Sequence, residues 1–304
     1  MTRVSKIFIA VLAKQKEKVL PLFLRSLYEL DYPRKDIVLY VRTNNNTDKT
    51  REILEKWINE HVDEYAEIIY NGNDIAERVE VYGVHEWNGE RFRALAKIRQ
   101  ASIDECLKTD CDYYFVIDVD NFLFPETLND LIEADKPIVA PLLRYAVAND
   151  KYPDTPEDQE RVGDHRCRYY SNYHHMVNDY GSIINEPIYY QLLHRVDGYR
   201  GVWDVDCVHC TYLIKRKYLD KLSYLEDSDR WEYMVFSESA RKARVNQYLD
   251  NRKIYGILTL TENNAVCEYL YDLLKDPVTR DERYQEHNPQ DLFYETSKHV
   301  ILAE

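Results

Sequence analysis

Glycine and proline are scarce in this sequence, 8 and 10 residues in 304, which excludes a collagen-like repeat and a flexible linker chain. Cysteine is scarce too. The six thiols at 106, 111, 167, 207, 210 and 267 are too few and too scattered for a disulfide scaffold in a chain of this size. Cys207 and Cys210 form a Cys-x-x-Cys, but a structural zinc site needs two more ligands at similar spacing and no second pair exists. Reduced thiols are the expectation. No run approaches the roughly 18 apolar residues that a membrane-spanning helix needs. The short apolar stretch near the N-terminus lacks a small-residue cleavage site, so it reads as a strand. Positive charge is in deficit: Lys+Arg 40 against Asp+Glu 54 leaves −14, which repels a polyanion and sets nucleic acid aside as a partner.

What is present suits a globular chain. With 45% apolar residues there is enough to bury a core, and the length fits one large domain or two modest ones. Apolar runs of strand length occur at 7–12 (IFIAVL), 37–41 (IVLYV), 67–70 (EIIY) and 113–117 (YYFVI). Between them Leu20, Phe23, Leu24 and Leu27, then Ile53, Leu54, Trp57 and Ile58, recur at helical spacing, with Pro21 tolerable only in an opening turn and Thr47 or Asp48 as the second helix's N-cap. Apolar strands alternating with amphipathic helices predict a mostly parallel sheet covered on both faces. Beyond Pro141 the pattern gives way to a loop-dominated stretch rich in Tyr, Asp, His and Asn. A strand at 208–214, a helix at 232–245 and a strand at 254–260 then complete the same sheet, and a helix with a polar tail follows from 261.

The fourth run ends in Asp118-Val119-Asp120-Asn121. In open α/β sheets ligands bind outside the carboxyl ends of strands, and alternation turns residues i and i+2 to one side. Both carboxylates can therefore reach one hard divalent cation, which could bridge and neutralise a diphosphate. The alternative is a pair of solvated loop acids. In the preceding helix Phe92, Ala96, Ile103 and Leu107 line one face and Arg99 falls on that line. Arg99 either leans toward phosphates or covers the core with its stem while its head snorkels. The segment from Arg42 to Asp48 forms a polar loop entering a helix N-terminus, suited to anions or ribose, or to turn chemistry and capping alone.

The chain resembles the N-terminal glycosyltransferase domain of the procollagen galactosyltransferases and, more distantly, that of lysyl hydroxylases. The likeness rests on Leu20-Pro21-Leu22-Phe23-Leu24, Leu30-Asp31-Tyr32-Pro33, Asn44-Asn45-Asn46-Thr47-Asp48, Trp57, Trp87, Arg91, Asp118-Val119-Asp120-Asn121, Pro137-Ile138-Val139-Ala140-Pro141, Tyr170-Ser171-Asn172-Tyr173, Val208-His209-Cys210-Thr211 and Tyr255-Gly256, in that order. It implies an α/β GT-A fold in one domain over 1–260, with a nucleotide-binding half to about 143, an acceptor-side half from 144, and a C-terminal helix and tail over 261–304. It implies Mn²⁺ or Mg²⁺ at Asp118, Asp120 and His209. It implies a UDP-sugar contacted at Ala10, Leu12, Asn44, Asn46, Asp48, Arg99 and Asp118. The sugar is galactose, glucose or a similar hexose or pentose, and the acceptor is a protein or glycan hydroxyl, with hydroxylysine of a collagen-like chain as the family's answer.

The resemblance also implies inversion, since similar enzymes form β linkages from α-linked donors, and inversion asks for a carboxylate base. Where relatives tend to carry an Asp-Asp pair, this chain has Trp231-Glu232. Glu232 is the candidate base and Asp229 the reserve, set against plain helix N-terminal acids favoured by the dipole. The aromatic stretch Tyr169 to Tyr180 reads as acceptor-side. Unlike its relatives the chain begins at a strand and ends without a retention tail, so a cytoplasmic setting, in a cell or in a virus's host, is the expectation. Oligomeric state stays open, a dimer included. Two other readings stand beside the transferase: a non-catalytic binding or scaffold domain, and a metal-dependent phosphoester hydrolase, against which the lack of a dense His/Asp set argues.

Overall fold

The structure, a computed structural model, describes residues 4–77, 88–146, 200–259 and 264–280, with short strands at 167–168, 173–174, 176–177 and 183–184. The first half alternates as its sequence predicts: β1 (Ile7–Ala13), α1 (Leu20–Tyr28), β2 (Ile37–Thr43), α2 (Thr50–His61), β3 (Glu67–Asn71), α3 (Gly89–Leu107) and β4 (Tyr113–Asp118). Every residue of β2 is buried, as are six of the seven in β1. This is why neither strand shows polar alternation. Pro21 lies in the first turn of α1, where its missing N–H breaks no helical bond. The N-cap position of α2 is Lys49 rather than Thr47 or Asp48. Asp48 still serves that end, its Oδ1 accepting the Thr50 N–H at 3.1 Å.

Then follow β5 (Asn121–Leu123), α4 (Thr127–Glu133), β6 (Ile138–Pro141), β7 (Leu143–Ala146), β8 (Cys167–Arg168), β9 (Tyr173–His174), β10 (Met176–Val177) and β11 (Ile183–Ile184). The chain continues through β12 (Val202–Val205), β13 (Cys207–Val208), β14 (Thr211–Lys215), α5 (Arg216–Leu219), α6 (Glu232–Lys242), β15 (Gln247–Asp250), β16 (Gly256–Leu258) and α7 (Asn264–Leu274). The main sheet has eight strands in the order β12-β15-β6-β14-β4-β1-β2-β3. Strands β1, β2, β3, β4, β6 and β15 run one way, while β14 is antiparallel to β4 and β6, and β12 to β15. The reversal of β14 matters most. It brings the turn before Thr211 to the same edge as the carboxyl end of β4, since Thr211 pairs with Ile117.

Three expectations change in detail. The run at 208–214 is two strands, because Cys210 takes φ 64° and breaks the extension. Helix α6 stops at Lys242 rather than 245. Arg244 adopts φ 57° and the Val245 N–H closes onto Ala240 O at 2.9 Å, the wrap-up of a left-handed C-terminal cap. The strand expected at 254–260 is shorter and leaves the main sheet, joining a second sheet in the order β5-β16-β7-β8. There Gly256 is required by close approach: a Cβ on it would lie 2.4 Å from Phe122 O. One core spans both sheets. Phe8 stacks with Tyr40 and Tyr114 across neighbouring strands at 5.8 and 6.0 Å, and α7 buries Leu270, Tyr271 and Leu274 in the same cluster.

Candidate active site

Three loops leave the carboxyl edge of β1, β2 and β3, and polar side chains sew them together. Gln15 N–H donates to Asn46 Oδ1 at 3.0 Å, Glu17 N–H donates to Asp48 Oδ2 at 3.0 Å, and Asn45 N–H donates to Asp74 Oδ1 at 2.7 Å. Asn46 also donates to Thr43 Oγ1, and Asp48 accepts from the Thr50 hydroxyl. The Asn/Asp side chains predicted to meet a nucleotide also shape the rim through these bonds. Asn44 is buried and donates to Asn45 Oδ1 at 2.9 Å. Ala10, paired in register with Tyr40 and Val116, has no exposed surface. Leu12 pairs with Asp118 and Arg42 at the strand end, half-buried.

The next strand end is organised by Arg99. Its position on the apolar line of α3 buries it to 5% exposure, yet the head does not snorkel. Nη2 lies 2.9 and 3.1 Å from the two oxygens of Asp118, and Nε lies 3.3 Å from Glu232 Oε1. Burial opposes the guanidinium's charge, but Asp118 and Glu232 more than offset it and hold the group protonated. Glu232 opens α6 at 4% exposure, and burial keeps its carboxyl above the usual range although Arg99 pulls it down. Two atoms of this cluster, Arg99 Nη1 and Glu232 Oε2, are buried without a hydrogen-bond partner among the described residues. Asp229 is different: its side chain is 76% exposed and paired with Arg93 of α3.

Asp120 meets Lys16 Nζ at 3.3 Å. Burial raises its carboxyl and the charge of Asp118 adds to this, while Lys16 opposes it. His209 sits in the turn between β13 and β14 at 4% exposure, its ring stacked on Tyr233 at 4.7 Å and its Nδ1 2.8 Å from Cys210 Sγ. The Cys210 carbonyl accepts the Asp118 N–H at 3.0 Å, so this turn braces the first aspartate. An aromatic row runs alongside: Phe92 to Trp231 at 4.4 Å and Trp231 to Tyr233 at 5.6 Å, with Trp231 39% exposed.

The fold therefore gathers Asp118, Arg99 and Glu232 and leaves Asp229 at the surface. Among the described residues no three His, Cys, Asp or Glu side chains are arranged to hold a metal ion, so Asp118, Asp120 and His209 do not form a ready three-ligand set. The chemistry of the two aspartates still fits a hard divalent cation. They are oxygen donors two residues apart, and burial together with the charge of Asp118 raises the Asp120 carboxyl, a strain that a cation would relieve. Sequence reasoning missed Lys16, Cys210 and Tyr233. For Lys16 the signal was a lysine placed just past the first apolar run; the other two carry none that survives without the fold. Trp87 and most of Tyr169 to Tyr180 lie outside the described residues. Tyr173, which is described, is fully buried and pairs with Val208.

Residues 4–152 match the profile of glycosyltransferase family 25, N-terminal domain. Over these residues the chain carries the N-terminal domain of that family. Over 263 residues it is 32% identical to procollagen galactosyltransferase 2 of Mus musculus, covering 84% of this chain and 38% of that protein. It is 26% identical over 263 residues to inactive glycosyltransferase 25 family member 3 of Homo sapiens, covering 84% and 40%. The chain spans about two fifths of the length of these curated relatives. The crystal structure of S. aureus TarS 1-349 in complex with UDP-GlcNAc aligns over 86% of this chain and 60% of that one, at 14% identity and TM-score 0.49, a likeness that carries no argument about ligands. The chain has the α/β arrangement expected of a GT-A fold, a mostly parallel central sheet flanked by helices. No helix among its described residues is long and apolar enough to cross a membrane.

Proposed function

We propose that this family 25 domain is a metal-dependent glycosyltransferase that moves a sugar from a UDP-sugar to a hydroxyl acceptor with inversion. The observation that carries the reading is the buried cluster in which Arg99 joins Asp118, at the ligand-binding edge of the sheet, to Glu232, at a helix start. Asp118 and Asp120 are the residues to hold a divalent cation, with His209 as third candidate. When bound, that cation supplies the charge that neutralises the departing diphosphate. Lys16, beside Asp120, adds a positive charge on the donor side. Glu232 removes the proton of the acceptor hydroxyl as that oxygen attacks the anomeric carbon. Its raised carboxyl makes it a stronger base than a solvated glutamate, and the N-terminus of α6 favours its ionised form. Trp231, next to the base in sequence, packs on the buried Phe92 and keeps an exposed ring that suits a sugar or peptide face.

Galactose is the first donor to test and a collagen-like hydroxylysine the first acceptor, in line with the relatives' names. Thermal unfolding with UDP tests the donor half. UDP should stabilise the fold only with Mn²⁺ present, by roughly 2.7 kcal/mol at a hundredfold excess over Kd. Asp120→Asn should remove that dependence and leave the fold intact. Equal stabilisation by UDP in chelator overturns the metal-dependent reading.

A second reading, a non-catalytic UDP-sugar-binding or scaffold domain, is favoured by the exposed Trp231 beside the base and by the relative named inactive. Binding of UDP with no transfer to any acceptor across a panel supports it over the first.

A further inference from the structure

Arg99 reaches two acids that the proposed chemistry assigns to opposite partners, Asp118 to the donor and Glu232 to the acceptor. It holds them unequally. Nη2 takes both oxygens of Asp118 at 2.9 and 3.1 Å, whereas Glu232 receives only Nε, at 3.3 Å, and keeps Oε2 buried without a partner. Nε and Nη2 lie on one edge of the planar guanidinium, the edge that forks onto two carboxylate oxygens at once. That fork is divided here. Glu232 Oε2 is a desolvated acceptor that lacks the second half of it, a costly state for a buried polar atom.

Resting on the transferase reading above, we propose that Arg99 is a positioning residue that couples the donor side to the acceptor side. Once Asp118 is drawn to a divalent cation, Nη2 is released to Glu232, and the completed fork locks the base in place. The base is therefore loosely held until the donor side is filled. Coupling of this kind is reciprocal: whatever Glu232 does to the hold of Arg99 must also alter cation binding at Asp118. Without the Glu232 charge, Arg99 has only Asp118 to pair with and competes more strongly with the cation.

The test is a double-mutant cycle read by calorimetric titration of the full chain with Mn²⁺ alone, using Glu232→Gln, Arg99→Gln and the pair. Glu232→Gln should weaken Mn²⁺ binding by about 5-fold or more, the lower end of typical coupling, and in the Arg99→Gln background the same substitution should have a much smaller effect. If Arg99→Gln does not fold, Arg99→Lys replaces it, since a single ammonium cannot fork and should shrink the effect in the same way. A Glu232→Gln effect that persists undiminished without the Arg99 fork is plain local charge and overturns the proposal, as does Mn²⁺ affinity unchanged within about twofold. Absence of Mn²⁺ binding to the wild-type chain overturns the transferase reading as well, so the two failures are separate results. As a second readout, Arg99→Lys should lower kcat while donor KM holds, because misplacing the base removes an interaction made only in the transition state.

Discussion

Arg93 and Arg99 leave the same helix, α3, and meet acids on either side of Trp231, Asp229 for the first and Glu232 for the second. Arg93 and Asp229 are 42% and 76% exposed, so water and salt screen their attraction and the pair contributes little. The side chains of Arg99 and Glu232 are 6% and 5% exposed, so each has lost its hydration: Glu232 depends on Arg99, and Arg99 on Glu232 and Asp118 together. Both are ion pairs between the same two segments, and burial makes one dispensable and gives the other the setting that the proposed chemistry uses. An acid held in that buried setting, with its carboxyl raised, is suited to take a proton, and an acid in water has no such advantage.

The comparison sharpens first on stability. Arg99→Met should cost about 3–5 kcal/mol in chemical denaturation, the usual result of leaving a buried carboxylate, here Glu232, uncompensated. A loss as small as a surface pair gives would break the contrast. The response to pH comes next. Along α6, Glu238 accepts from Lys242 and Arg230, which draw its carboxyl down to about 2. A depressed carboxylate contributes stability above its unfolded value and loses it as pH falls toward about 2. Glu232 has the opposite sign: raised by burial, it favours the fold most when protonated at low pH, and that contribution is lost as pH rises through its folded value. Carbon-13 titration of the glutamate carboxyls should show one moving below and the other above the ordinary range, and shifts in the same direction would contradict the account. The smallest effect belongs to Arg93→Ala, which should change stability by no more than about 1 kcal/mol, and less in high salt.

Much of the frame was legible in the sequence because uninterrupted apolar runs have few ways to be buried: β1 to β4 lie where IFIAVL, IVLYV, EIIY and YYFVI predict. Arg99 was legible as a charge on an apolar line, though neither role foreseen for it includes the pairing with Glu232. The turn at Cys210 was not legible, since nothing in a cysteine favours φ 64°; the bond from Asp118 N–H and the reversal of β14 impose it. Lys16 beside Asp120 joins residues 104 apart in sequence, and the departure of β16 to a second sheet depends on Gly256 meeting Phe122. Both need the assembled fold.

The central claim is that Glu232, and not Asp229, is the base of a UDP-sugar transfer. UDP release from UDP-galactose with Mn²⁺ and a hydroxylysine-bearing acceptor, compared between wild type, Glu232→Gln and Asp229→Asn, tests it most directly. The account predicts a loss of about 10²–10⁴-fold for Glu232→Gln at saturating Mn²⁺, with donor binding retained and Mn²⁺ affinity weakened by about 5-fold or more in calorimetry, and a change within about twofold for Asp229→Asn. Transfer by Glu232→Gln within about twofold of wild type, or the large loss falling on Asp229→Asn, would contradict it.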